Sequence, residues 1–208
     1  MTMPFDYLRD PDAIYSASFA AIEREVPLGR YREPDRSVVS RIVHACGMPD
    51  IADDIRMSED FSERAVTAMR EGCTIYCDAQ MVAHGIIARF MPKGVAVNCL
   101  IADATVATDA RSKGTTRSAA QVDRWTDRSS ICVIGNAPTA LFRLIERINE
   151  GSFEPAAIIG VPVGFVGAAE SKLALHEQAY ASLTILGRRG GSAMAAAAVN
   201  ALAIAASS

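Results

Sequence analysis

Histidine is scarce in this chain, with three in 208 residues at positions 44, 84 and 176, too scattered to share a metal ion. No H-E-x-x-H and no paired C-x-x-C is present, so no metal site is expected. Gly160, Gly164 and Gly167 do not make a G-x-G-x-x-G fingerprint, and neither a Walker-type G-x-x-x-x-G-K nor a G-x-S-x-G elbow occurs. These absences argue against zinc, dinucleotide, P-loop and serine-hydrolase chemistry. A membrane span is missing too. The longest apolar segment, Ala193 to Ala206, is interrupted by Asn200 and falls short of the ~20 residues a span needs, so it reads as a buried terminal helix. Met1 to Asp10 carries Asp6, Arg9 and Asp10 and no apolar run, which gives no secretory signal and an expected cytoplasmic location. The five cysteines are an odd number set mostly in apolar runs, as reduced core thiols would be, and Cys73 and Cys77 fit no zinc or redox spacing. A net charge of −3 argues against a general nucleic-acid binder, yet a local basic cluster can still seat an anion.

What is present is half hydrophobic and 22% charged, an ordinary globular composition in which 1–208 forms a single domain. The stretch from Ile131 to Ser171 organises it. Twice a short, fully apolar run (Ile131–Ile134, then Ala156–Gly160) meets a Gly/Pro turn and opens into a helical pattern, as strands buried on both faces of a parallel sheet do. Further strands are predicted at Cys73–Cys77, Val95–Ile101 and Leu183–Leu186. Helices are predicted over Asp10–Val26, from Pro34-Asp35 to Gly47, over Ser58–Arg70 with Ser58 capping, after Asp78 as a cap, over Arg117–Trp125, and from Pro138 to Asn149. No sequence repeat, low-complexity tract or linker stands out. The fold class is therefore α/β: a three-layer sandwich with a mostly parallel sheet of about five strands flanked by helices. Ligands of such sheets bind at the rim past the strand ends.

Helical spacing places Ile14, Tyr15, Phe19, Ile22 and Val26 on the buried stripe of the first helix, with Ser18 inside that stripe. A hydroxyl there either bonds back to a main-chain carbonyl or faces a polar cavity. His44 lies off the buried side of the second helix, on one face with Ser37, Ser40 and Arg41. It stands in the last turn, where free carbonyls favour a positive imidazole. It is either a solvent-facing terminal histidine or a proton donor. His84 and Gly85 fall close to the binding rim, where His84 reads more readily as a hydrogen-bonded structural residue than as a base. Arg111, Lys113 and Arg117 surround a Gly-Thr-Thr that can cap the helix from Arg117, either as a solvated loop or as a seat for carboxylate or phosphate. Lys172 lies early in the helix after the second organising turn.

The motifs then carry a resemblance. Val43-His-Ala-Cys-Gly47, Asp78-Ala-Gln-Met-Val-Ala-His-Gly85, Thr116-Arg-Ser-Ala-Ala120, Ile134-Gly-Asn-Ala-Pro-Thr-Ala-Leu141, Pro162-Val-Gly-Phe-Val-Gly-Ala-Ala-Glu-Ser-Lys172 and Gly190-Gly-Ser-Ala-Met194 are similar to those of the precorrin-8X methylmutases, also called precorrin isomerases, of cobalamin biosynthesis. The similarity runs from about Tyr7 to Ala203. It implies an isomerase that moves a methyl group from C-11 to C-12 of the tetrapyrrole precorrin-8X to give hydrogenobyrinate, with neither metal nor organic cofactor. The family's catalytic histidine matches His44 and a substrate-contacting serine matches Ser18, while Thr116 and Arg117 occupy its Thr-Arg-Ser segment. Tyr15, Gly85 and Lys172 complete the candidate substrate contacts. The resemblance further implies a homodimer with substrate near the subunit interface, and no nucleic-acid or membrane partner. After Gly85 the chain departs from the family's arginine-richer pattern, leaving only Arg89, so carboxylate contacts do not transfer through that segment. A corrinoid carrier without catalysis is the alternative of another class, and a nucleotide-binding module suggested by the Gly-rich turns is a third.

Overall fold

A computed structural model describes residues 5–208, so Met1 to Pro4 of the N-terminal segment lie outside the described residues. Strands β1 (Ile55–Met57), β2 (Thr74–Cys77), β3 (Ala96–Asn98), β4 (Ile131–Ile134), β5 (Ala157–Gly160) and β6 (Ser182–Ile185) form one sheet in the order β1-β6-β5-β4-β2-β3. All neighbours are parallel except β1, which pairs antiparallel with β6. The apolar runs behave as buried strands must. Ile75, Cys77, Ile131 and Val133 face one helical layer, while Tyr76, Cys132 and Ile134 face the other. Three layers result, with six strands in place of five. The extra strand, Ile-Arg-Met, is too short to register as an apolar run, and the β3 edge strand covers only three of the seven residues expected there.

One layer holds α2 (Asp35–Cys46), α3 (Phe61–Arg70), α4 (Gln80–Gly85) and α9 (Ser192–Ser207), with α1 (Pro11–Glu25) laid across α2. The other holds α6 (Arg117–Val122), α7 (Pro138–Asn149) and α8 (Ala168–His176), with α5 (Ala104–Ser112) beside α6. The Ala-rich α9 is buried as its composition predicts, and its small side chains let α2, α3 and α4 approach closely. Gly85 marks one such approach, since a Cβ there would stand 2.7 Å from the Ala196 Cβ. Among the described residues no helix is long and apolar enough to cross a membrane.

Four local expectations are corrected. Tyr15 and Ile14 are not core residues, because only the far end of α1 is buried, with Ile22 and Val26 enclosed and Ile14 and Tyr15 43% and 48% exposed. Helix α3 starts three residues after Ser58, whose hydroxyl donates to Asp60 Oδ1 (2.8 Å) and accepts from the Ser182 N–H (3.0 Å) instead of capping. Asp78 does not cap α4 either, and its carboxylate points across the sheet. The polar segment before Gly114 is helical through Ser112, because Asp103 caps α5 and Val106 and Ala110 bury against Ala120.

Candidate active site

The chain's two polar concentrations settle at different places. The first is built on the open face of α1 and α2. Arg41 and His44 are three residues apart on α2 and so lie one above the other. Opposite them, Tyr15 and Phe19 are four apart on α1, with ring centroids separated by 4.5 Å. Phe19 stacks on the His44 imidazole at 5.1 Å and 21°. The Arg41 guanidinium lies over the Tyr15 and Phe19 rings at 5.9 and 5.6 Å, and its Nη2 donates to the Tyr15 hydroxyl at 2.8 Å. His44 remains exposed in the last helical turn, which Gly47 closes in the left-handed conformation (φ 67°) by donating to the Val43 carbonyl. Among the described residues no protein group hydrogen-bonds the imidazole, so both its nitrogens are free to meet a ligand. Ser18 resolves its two options, with its Oγ donating back to the Ile14 carbonyl at 2.8 Å. Oxygen lone pairs are still left to accept from a ligand.

The second concentration is the sheet's C-terminal rim. Strand order reverses between β2 and β4, and in open parallel sheets a ligand ordinarily sits at that switch point. Here Asp78 fills it. The side chain is fully buried and accepts from the main-chain N–H groups of Gly135 (2.9 Å), Asn136 (3.0 Å) and Ala137 (2.6 Å), the amides that open α7. Burial pushes the Asp78 pKa up, and those amides pull against it. Beside this plug, Thr116 caps α6 by accepting from the Ala119 N–H (3.1 Å) and shares a 2.8 Å hydrogen bond with the Thr139 hydroxyl on α7. Arg117 is exposed there without a carboxylate partner among the described residues. Its neighbours are engaged, as Lys113 pairs with Asp123 (2.7 Å) and Arg111 bonds to the Ala107 carbonyl of its own helix. The loop from Pro162 to Gly167 presents Phe165 and Val166 at 85% and 89% exposure.

The structure therefore links Tyr15 to His44 through Phe19 and Arg41, with Ser18 one turn from Tyr15, and sets Thr116 with Arg117 at the rim. Gly85 serves the α4–α9 contact, its carbonyl accepting from Asn200 Nδ2 at 3.0 Å. Lys172 is not presented to a ligand. It is 0% exposed, and its ammonium donates to the Arg189 carbonyl, beneath a guanidinium that pairs with Asp50 (2.5 Å) and Asp54 (2.6 Å). Desolvation lowers its pKa to about 8, with Asp54 pulling the other way. Because the folded value lies below that of a free lysine, the unfolded chain binds more protons between about pH 8 and 10. Stability conferred by the wild-type side chain thus rises over that window. Thermal melts of wild type and Lys172→Met should diverge in the wild type's favour from pH 8 to pH 10, and parallel curves would show that the ammonium is not desolvated.

Sequence reading missed Arg41 and Phe19 as site residues, although the i, i+3 spacing of Arg41 and His44 on one polar face was visible. It missed the role of Asp78 altogether.

Comparison with known proteins bears on this arrangement. The precorrin-8X methylmutase family model matches residues 13–205. The chain belongs to the precorrin-8X methylmutase family. It is 47% identical over 203 residues to a Sinorhizobium precorrin-8X methylmutase, covering 96% of this chain and 97% of that one. Identity to the Pseudomonas aeruginosa precorrin-8X methylmutase is 46%, over 95% and 97% of the two chains. A Salmonella typhimurium cobalt-precorrin-8 methylmutase is 40% identical over 94% and 96%. The solved precorrin-8X methylmutase of Thermus thermophilus superposes with a TM-score of 0.84 at 34% identity, covering 94% and 96%. As a methylmutase the chain is an isomerase. The six-stranded, mostly parallel sheet with helices on both faces is the methylmutase fold.

Proposed function

We propose that the chain moves the methyl group of precorrin-8X from C-11 to C-12, giving hydrogenobyrinate in cobalamin biosynthesis, with His44 as the proton donor. The observation that carries the reading is the exposed imidazole stacked on Phe19, beside a guanidinium and a phenol. Substrate and product are isomers: the C-11–methyl bond breaks, the C-12–methyl bond forms, and no electrons enter or leave. A proton lent by His44 to a ring nitrogen draws electron density out of the ring while the methyl migrates, and returns to the imidazole afterwards. Composition is unchanged over the cycle, and the step as written draws only on the proton that His44 lends and takes back.

The apolar surroundings support a flat guest. Ile14 and Tyr15 on α1 are 43% and 48% exposed, and Phe165 and Val166 at the rim 85% and 89%, so both places offer apolar side chains to a partner. A second copy of the chain covering part of that surface would desolvate His44 and the bound ring together, consistent with a homodimer whose site lies near the interface. The relatives at 46–47% identity carry the precorrin-8X name and the Salmonella relative at 40% the cobalt name, which favours the metal-free macrocycle as substrate. The purified protein incubated with precorrin-8X should generate the visible spectrum of hydrogenobyrinate in many-fold excess over enzyme. Tight binding of the product without that catalytic appearance would make the protein a corrinoid carrier instead.

A further inference from the structure

An ammonium is among the least favourable groups to bury, and Lys172 on α8 is buried completely, its pKa lowered to about 8 by desolvation. Among the described residues its hydrogen-bond partner is the Arg189 carbonyl. That carbonyl belongs to the turn after β6, Gly187-Arg188-Arg189-Gly190-Gly191, whose three glycines give it little stiffness of its own. Other groups hold it instead. Arg189 Nη1 donates to Asp50 Oδ2 (2.5 Å), and Nη2 donates to Asp54 Oδ2 (2.6 Å). The Gly191 N–H donates to the Val161 carbonyl (2.8 Å) and the Gly164 N–H to the Arg188 carbonyl (3.3 Å). A Cβ at Gly190 would collide with the Val161 carbonyl oxygen, so the turn lies flat against the chain leaving β5.

The two carboxylates bring this turn to His44. Asp50 lies within the 3₁₀ turn Pro49–Asp53 and Asp54 just past it, and that turn follows the Gly47 stop of α2 almost directly. Burial pushes the thiol of Cys46 up, while main-chain hydrogen bonds and the Arg189 guanidinium pull against it, so the guanidinium's field reaches the last turn of α2. Magnitudes separate two uses for such a clamp. Arg189 and both carboxylates are partly exposed or more, and ion pairs of that kind contribute little to stability. Misplacing a reacting group by about 1 Å, in contrast, can slow chemistry about 10²-fold. We infer that Arg189 is a positioning residue, pinning the end of α2 through Asp50 and Asp54 so that His44 meets the macrocycle in one place, with Lys172 holding the Arg189 main chain from behind. This rests on the proton-donor reading of His44 and deepens it by naming what keeps the imidazole aimed.

Turnover of precorrin-8X, affinity for hydrogenobyrinate and melting temperature are measured for Arg189→Met and Arg189→Lys, each alone and combined with His44→Ala. Arg189→Met should lower saturated turnover about 10- to 100-fold, keep product affinity within a few-fold of wild type, and move the melting temperature by only a few degrees. Arg189→Lys should recover part of the rate, since one ammonium keeps the charge but cannot span both carboxylates. In the His44→Ala background either substitution should slow turnover by no more than about two-fold, because the group being aimed is gone. A slowing that multiplies with that of His44→Ala would make Arg189 a part of the scaffold and overturn the inference, as would wild-type turnover in Arg189→Met. If Arg189→Met does not fold, Arg189→Lys decides: wild-type turnover, or a slowing undiminished by the loss of His44, overturns the clamp. A wild type that leaves precorrin-8X unconverted, or a His44→Ala variant as fast as wild type, defeats the proton-donor reading itself. The clamp has a readout apart from turnover, the His44 imidazole Hε1 resonance, which should shift between wild type and the folded Arg189 variant. An unmoved signal there would overturn the clamp on its own.

Discussion

His44→Ala should leave a folded protein that turns over precorrin-8X about 10²- to 10⁴-fold more slowly, the range that one positioned proton donor contributes. The expected selectivity of that loss follows from burial. His44 is exposed, so its removal opens no cavity, and the one packing contact it forfeits, the stack on Phe19, is worth about 1 kcal/mol. Melting temperature should therefore move little while saturated turnover collapses. Product affinity is the third reading to take. Because the macrocycle would still have Phe19, Tyr15 and Arg41 to lie against, hydrogenobyrinate should bind within a few-fold of wild type. His44→Gln sharpens the comparison, keeping a hydrogen-bond donor that cannot release its proton, and should be nearly as slow as the alanine variant. Wild-type turnover in either variant would show that the proton comes from elsewhere.

Asp78→Ala should do the opposite, damaging the fold before the chemistry. Three consecutive amides just before α7 lose their acceptor, the Gly135 amide in a fully buried bond and those of Asn136 and Ala137 in part-buried ones, and each buried donor left unmatched costs about 1–3 kcal/mol. A net loss of about 2–3 kcal/mol is expected, which for a domain of this size lowers the melting temperature by roughly 4–12 °C. Asp78→Asn keeps the volume but turns an N–H₂ toward amides that need an acceptor, so it should fall between wild type and alanine in a thermal melt. A variant at position 78 that melts with wild type would mean the amides find water or another partner. Damage should spread to the rim, since Thr139, which these amides precede on α7, holds the Thr116 hydroxyl beside Arg117.

Asp78 also shows what could and could not be read ahead of the fold. An aspartate two residues before a helix resembles a cap, and nothing local distinguishes it from one. Its actual partners lie 57 to 59 residues away and become neighbours only when β2 and β4 pair. Where the determinants are local, reading succeeded: β4 is a four-residue apolar run, and α7 begins at a proline whose fixed φ suits a first turn and ends at Asn149 as expected. The α1 stripe failed for another reason. Its 3.6-residue period is real, but periodicity reports that one face is apolar, not what covers it, and here its first half stays about half exposed, with Tyr15 and Phe19 meeting the polar side chains of Arg41 and His44. His44 was legible as a polar residue at a helix end. Its stack with Phe19 and the guanidinium beside it depend on how α1 crosses α2, which spacing along one helix does not specify.

A chain that supplies its own anion to the sheet's reversal point has closed the berth where this architecture usually receives a guest. On the reading proposed above, the guest lies outside, on helices one layer removed from the strands, where no strand spacing limits its breadth. Such a surface suits a rigid disc far wider than a nucleotide. Its dimensions are policed by whatever lies across the helices rather than by the sheet, so substitutions on α1 and α2 could reshape the guest without disturbing the strands beneath.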